Sequence, residues 1–119
     1  MAYVDGFVVP VPESKIEEYR ALSTKCGAIW REHGALEYRE AVADDVPPGK
    51  LTSFPLAVKQ GEGEKVVFSW IVYASRTERD DVNDKVQKDP RMAAMMKPGA
   101  MPFDGKRLIY GGFEMLVDL

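Results

Sequence analysis

A chain of 119 residues, 45% of them hydrophobic and 29% charged, has the composition of one soluble globular domain spanning residues 1–119. It is long enough to build a core without disulfides or a structural metal. The net charge is -3 and the sequence pI about 5.2, with sixteen basic residues scattered along the chain, so the basic footprint of a nucleic-acid binder is missing. Cys26 is the single cysteine and His33 the single histidine. An intrachain disulfide is thereby excluded, no zinc or haem ligand cluster is in sight, and a reducing, cytoplasmic location is the simplest reading. No apolar run approaches the roughly 18 residues of a membrane span. The N-terminus lacks a basic region and meets Pro10 and Pro12 early, unlike a signal peptide.

Tyr3 to Val11 is rich in Val, Phe and Tyr and predicts a strand ended by Pro12. Ser14-Lys15-Ile16-Glu17 fits a capping box and predicts a helix to about His33, closed by Gly34. Its apolar residues, among them Ile16, Tyr19, Leu22, Cys26 and Ile29, step by three and four and so share one stripe. Ala35 to Ala43 predicts a second strand. Asp44 to Glu64 is irregular, with a short edge strand expected over Phe54 to Lys59 because Pro55 is tolerated only at an edge. Lys65 to Ser75 predicts the most hydrophobic strand. Thr77 is the expected cap of a helix to Lys88, and Asp89-Pro90 the start of a short helix to Met96, stopped by Lys97-Pro98-Gly99. Arg107 to Val117 is the last main strand. The double glycine Gly111-Gly112 inside it calls for a bulge, or for the close approach of another backbone or a ligand.

The order of main elements is β-α-β-β-α-β, an α+β arrangement of the ferredoxin-like, split βαβ type with an antiparallel sheet. Two helices cover one sheet face. The other face normally turns polar where it meets water. In the third strand, however, one phase carries Val66, Phe68, Trp70 and Val72, and the opposite phase Val67, Ile71 and Tyr73. An apolar face of that size predicts packing against a second copy, sheet on sheet, about 10 Å apart.

The stretches Tyr3-Val4-Asp5-Gly6-Phe7, Gly34-Ala35-Leu36-Glu37-Tyr38, Val67-Phe68-Ser69-Trp70-Ile71 and Met101 to Arg107 with Gly111-Gly112-Phe113 resemble the DUF1428 family of bacterial proteins, within the dimeric α/β barrel superfamily. The resemblance covers most of the chain. It implies a dimeric α/β barrel and a homodimer, and no activity.

Candidate chemistry is sparse. His33 is either a general base or a helix-terminal histidine favoured by the dipole. Asp104 and Arg107 form either a polar pair at the mouth of a pocket or an ordinary turn. Trp70, Tyr73, Tyr110 and Phe68 either line an apolar pocket or simply pack, and the methionines Met92, Met95, Met96 and Met101 either cover it as a lid or fill gaps. Phosphate-cradling loops, dinucleotide fingerprints and nucleophile elbows are absent from the sequence, and no cofactor is expected. Two functions fit these features. One is a small-molecule binder or cofactor-independent enzyme, with Arg107 as the charge partner of an anion or enol, Asp104 holding it, His33 or Tyr110 transferring the proton, and Trp70 and Tyr73 lining the site. The other is a non-catalytic dimer acting through a protein or RNA partner.

Overall fold

The computed structural model describes residues 1–97 and 99–119. The elements run β1 (Tyr3–Pro12), a 3-10 turn (Glu13–Lys15), α1 (Ile16–Glu32), β2 (Glu37–Val42), α2 (Phe54–Ala57), β3 (Glu64–Tyr73), α3 (Arg76–Lys88), α4 (Pro90–Met95), a second 3-10 turn (Gly105–Arg107) and β4 (Ile109–Glu114). The four strands form one sheet in the order β2-β3-β1-β4, with every pairing antiparallel. The expected split βαβ topology is therefore the one found. Pro10 sits beyond the last β1–β4 pair, Val8 with Ile109, where β1 has only β3 beside it and a missing N–H is tolerated.

The end of α1 is built as its sequence predicts. Gly34 has φ +121°, Ala35 N donates to the Trp30 carbonyl at 3.0 Å and Gly34 N to Arg31 at 3.2 Å, which is the Schellman pattern. Its start is not. Ser14 makes no cap, and Glu13 N donates instead to the Gly63 carbonyl at 2.8 Å, so a contact between distant segments replaces the capping box. Ser75, rather than Thr77, caps α3 by accepting from Glu78 N at 3.1 Å. Asp89 caps α4 as expected, with Pro90 in the first turn. The predicted stop signal falls partly on Pro98, outside the described residues.

Two expectations need correction. Phe54 to Lys59 is not an edge strand. Ser53 Oγ accepts from Leu56 N at 3.1 Å and Pro55 occupies the first turn of the short helix α2, a position as natural for proline as a sheet edge. The double glycine makes no bulge either. Gly111 and Gly112 pair with Gly6 and Asp5 in unbroken register, and neither has positive φ. What approaches is a side chain: a Cβ on Gly112 would lie 2.8 and 2.9 Å from ring carbons of Tyr3 and nearer still to its hydroxyl.

The sheet has two unlike faces. The helix face carries Tyr3, Asp5, Val9, Val67, Ile71 and Tyr73, all buried beneath α1, α3 and α4. On the outer face Val58, at the C-terminal end of α2, buries Val8 and Val66. Beyond that cover Phe68, Ile109 and Phe113 are exposed, the last at 61%. Trp70 is half-buried there beside Phe68, the ring centroids 5.4 Å apart.

Candidate functional site

The space between the helix face and the helices is not completely filled. An apolar cavity of about 180 Å³ lies between α1 and the sheet, closed by Met92, Met96, Met101 and Phe103. A second, more open cavity of about 430 Å³ lies between β4, the α3–α4 arm and the sheet. Phe7, Trp30, Ile71, Met92 and Met96 line both, so the two are lobes of one elongated cleft. Of the four methionines offered as a lid or as gap fillers, Met92, Met96 and Met101 border this space while Met95 packs on the core, and the unbranched thioethers at the cleft suit occupants of more than one shape.

Each lobe contains one carboxyl. In the first it is Glu40, on β2 directly across from Ser69. The Tyr19 hydroxyl donates to Glu40 Oε1, and the Tyr38 hydroxyl lies 3.4 Å from Oε2 and 3.1 Å from Ser23 Oγ. Among the described residues no lysine or arginine pairs with Glu40. Burial is the largest influence and pushes its carboxyl above the usual range, against the hydrogen bonds from Tyr19, Tyr38 and Ser69 that favour the anion. Burial and the neighbouring carboxylate push the Tyr19 and Tyr38 hydroxyls upward as well, so both stay proton donors at neutral pH. Burial likewise raises the Cys26 thiol, which makes it inert rather than nucleophilic. A third cavity, about 500 Å³, opens on the other side of the same group along α1 and the β2 edge, and gives Glu40 a route to solvent.

Gly27 explains how Tyr38 reaches this position. A Cβ there would stand 2.5 to 3.0 Å from three ring atoms of Tyr38, so the bare backbone of α1 forms the seat of the ring. Mid-helix glycine costs about 1 kcal/mol against alanine, which the close packing of the ring offsets.

The second lobe contains Asp5, buried on β1, and Arg79 from α3. Their closest approach is 3.5 Å, and Arg79 Nη2 donates to the Tyr3 hydroxyl at 3.1 Å. The Tyr73 hydroxyl accepts from Trp30 Nε1 at 3.1 Å and lies 3.4 Å from Asn83 Oδ1. Burial raises the Asp5 carboxyl, while Arg79 and Tyr73 pull it down less strongly.

The residues singled out in the sequence are spread over the fold. Tyr73 is wholly buried on the helix face and Trp70 lies on the outer face, so the two do not share a pocket, and Phe68 goes with Trp70. Tyr110 is 75% exposed at the rim of the second lobe, stacked on Phe7 with ring centroids 6.3 Å apart. His33 is not among the residues lining the cleft. Its Nε2 stands 2.9 Å from Asp89 Oδ2, and Arg91 joins Asp89 to Glu32, tying the end of α1 to the cap of α4. Asp104 does hold Arg107, at 3.1 Å, but Glu64 takes the same guanidinium in a two-point grip at 2.7 and 2.8 Å and the Lys59 carbonyl accepts at 2.9 Å. With every nitrogen engaged and no place in the cleft wall, Arg107 clamps the start of β4 to the loop before β3. Glu40, Tyr19, Tyr38, Asp5 and Arg79 were missed. The alternation of Tyr38, Glu40 and Val42 along β2 was the available signal, since it places a carboxyl in phase with two apolar residues.

Fold and cleft together define the class: an α+β protein of ferredoxin-like topology with a cavity between its sheet and its helices. Solved structures of this shape include an uncharacterized NIPSNAP domain protein from Burkholderia xenovorans, 15% identical, with a TM-score of 0.60 over 95% of this chain and 93% of that one. A NIPSNAP family protein from Agrobacterium tumefaciens is similar too, 18% identical, with a TM-score of 0.59 over 96% and 92%. At that identity the likeness concerns the fold alone. Residues 2–105 match the family model described as Protein of unknown function (DUF1428), and the chain belongs to that family. It is 52% identical, over 99% of both chains, to "Uncharacterized protein YbaA" of Escherichia coli strain K12 and to the protein of the same description from Shigella flexneri.

Proposed function

We propose that this protein takes up an elongated, largely apolar small molecule in the cleft, and that Glu40 exchanges a proton with it. The observation that carries this reading is a carboxyl held by two tyrosines at a largely apolar cavity, with no lysine or arginine paired to it among the described residues. A protein gains little stability from such a group, because even half-burying a carboxylate without a cationic partner costs free energy. Groups of this kind belong to sites where a proton is to be held or passed, since a raised carboxyl pKa brings an acid toward the working range of general acid–base chemistry. A single, buried cysteine, Cys26, suits a reducing cytoplasm. Among the described residues no helix is long and apolar enough to cross a membrane.

The functional unit in this reading is a homodimer. Phe68, Ile109 and Phe113 leave an apolar patch on the outer face, and a second copy packed sheet on sheet covers it. Light scattering is expected to give the dimer mass for the wild type and the monomer mass for Phe113→Lys. A monomeric wild type at micromolar concentration rejects the assembly.

The cleft is tested with 1-octanol, read by the shift in Trp30 emission in a Trp70→Phe background. A saturable shift is expected. Filling the cavity strips water from Glu40 and raises its proton affinity further, so calorimetry in buffers of different ionisation enthalpy should register proton uptake. Glu40→Gln should abolish that uptake while leaving the urea midpoint unchanged or raised, because a buried charge is gone. Absence of saturable binding, or the same proton uptake in Glu40→Gln, defeats the reading.

A further inference from the structure

Arg79, in the second lobe, and Arg107, outside the cleft, differ in what they have left to give. Arg107 is saturated by two carboxylates and a carbonyl. Arg79 is not. Its guanidinium offers five donors, yet among the described residues only Nη2 has a hydrogen-bond partner, the Tyr3 hydroxyl. Its Nε is buried without a hydrogen bond, with Asp80 3.1 Å away but out of line. Nη1 faces Asp5 at 3.5 Å, beyond the length of a good charge-assisted bond.

Asp5 and Asp80 stand at ion-pair distance from this guanidinium without the two-point grip that Glu64 has on Arg107. The Tyr3 ring lies beneath it, 4.9 Å from the ring centroid to Cζ, and Tyr3 fits there because Gly112 has no side chain. Gly111 and Gly112 also leave that part of the lobe wall as bare backbone, and Asn83 and Gln87 add neutral polar groups. From here the apolar walls Phe7, Trp30, Ile71 and Met92 lead to the Glu40 lobe. Asp5 and Glu40 are separated by two strand spacings and two residues along the strands, a Cα distance of about 12 Å. A medium-length hydrocarbon chain covers that span.

We propose that Arg79 forms an anion subsite, so that the molecule taken up is an amphiphile whose carboxylate sits on Arg79 and whose apolar body runs beneath Trp30 and Met92 toward Glu40. This rests on the reading of the cleft as a ligand cavity and adds the chemical class of its occupant. Asp5 is the built-in competitor. It holds Arg79 loosely in the empty cleft and gives way to a carboxylate that offers a two-point contact.

The experiment compares octanoate with octanol by the same Trp30 emission shift. The wild type should bind octanoate about tenfold or more tightly than octanol, the worth of one charge-assisted pair. Arg79→Met should bring that ratio to about one. Asp5→Asn, which removes the competitor and leaves Arg79 in place, should raise octanoate affinity severalfold and move octanol little. If the wild type binds both equally, the anion subsite is wrong and the cavity reading stands. If neither binds, the cavity reading falls and this proposal with it. A preference for octanoate that survives in Arg79→Met overturns the assignment. Should Arg79→Met fail to fold, Asp5→Asn decides alone: weaker octanoate binding there makes Asp5–Arg79 a structural pair and rejects the subsite.

Discussion

Gly111 and Gly112 look equivalent in the sequence and are predicted to respond in opposite ways to alanine. Neither has a backbone conformation that excludes a side chain. At Gly111 a Cβ would meet Phe113 at 3.5 and 3.6 Å, ordinary contact. At Gly112 it would meet ring carbons of Tyr3 at 2.8 and 2.9 Å, and that ring is only 8% exposed and tied to Arg79 through its hydroxyl. The ring has to swing aside, which costs about 1–3 kcal/mol as overpacking. Alanine returns about 0.5–1 kcal/mol in either position by restricting the unfolded chain. Gly112→Ala should therefore lose about 1–2 kcal/mol net, and Gly111→Ala should be neutral or slightly stabilising. Urea unfolding followed by circular dichroism measures both, provided the slopes agree with the wild type. A Tyr3→Leu background supplies the control, because there the Gly112→Ala penalty should largely vanish. Equal shifts for the two alanine variants, or a penalty that persists without the Tyr3 ring, would refute the close-approach account.

Gly27→Ala should gain helix propensity and still lose about 1 kcal/mol or more, since overpacking against the Tyr38 ring outweighs it; an unchanged or higher urea midpoint contradicts the seat assigned to that glycine. Asp89 carries a pH signature. Arg91 first, then His33, hold its folded carboxyl well below the unfolded value of 3.8, so its stabilising contribution is complete above that value and drains away as the pH falls through and below it. The urea midpoint of Asp89→Asn should fall less steeply than that of the wild type on acidification below 3.8, and identical slopes would sink the argument. Arg107→Leu leaves the Glu64 carboxylate without its cation and should lower the urea midpoint while octanol still binds; a stable variant that has lost binding would return Arg107 to the site.

Much of the fold was legible because local rules decide it. The strand of Tyr3 to Val11, the Gly34 stop of α1, the Asp89-Pro90 start of α4 and the β-α-β-β-α-β order depend on neighbours a few residues apart. Phase along β3 was legible too, since Trp70 and Tyr73 differ by an odd number of residues and so point to opposite faces. What the tertiary structure alone decided depends on partners far along the chain. Phe54 to Ala57 is the exception: the Ser53 cap that makes it a helix is local, and the edge-strand reading overlooked it. Gly112 is bare to admit a ring from the opposite end of the chain. Glu40 lies in phase with Tyr38 and Val42, but only the packing of α1 on that face turns it into a half-buried acid. Arg107 finds Glu64 43 residues away and is saturated, while Arg79 reaches Tyr3 across 76 residues and keeps donors to spare. Charge and residue type are local properties. Whether a charge is already satisfied is a property of three-dimensional neighbours, and that difference separates a clamp from a candidate binding group.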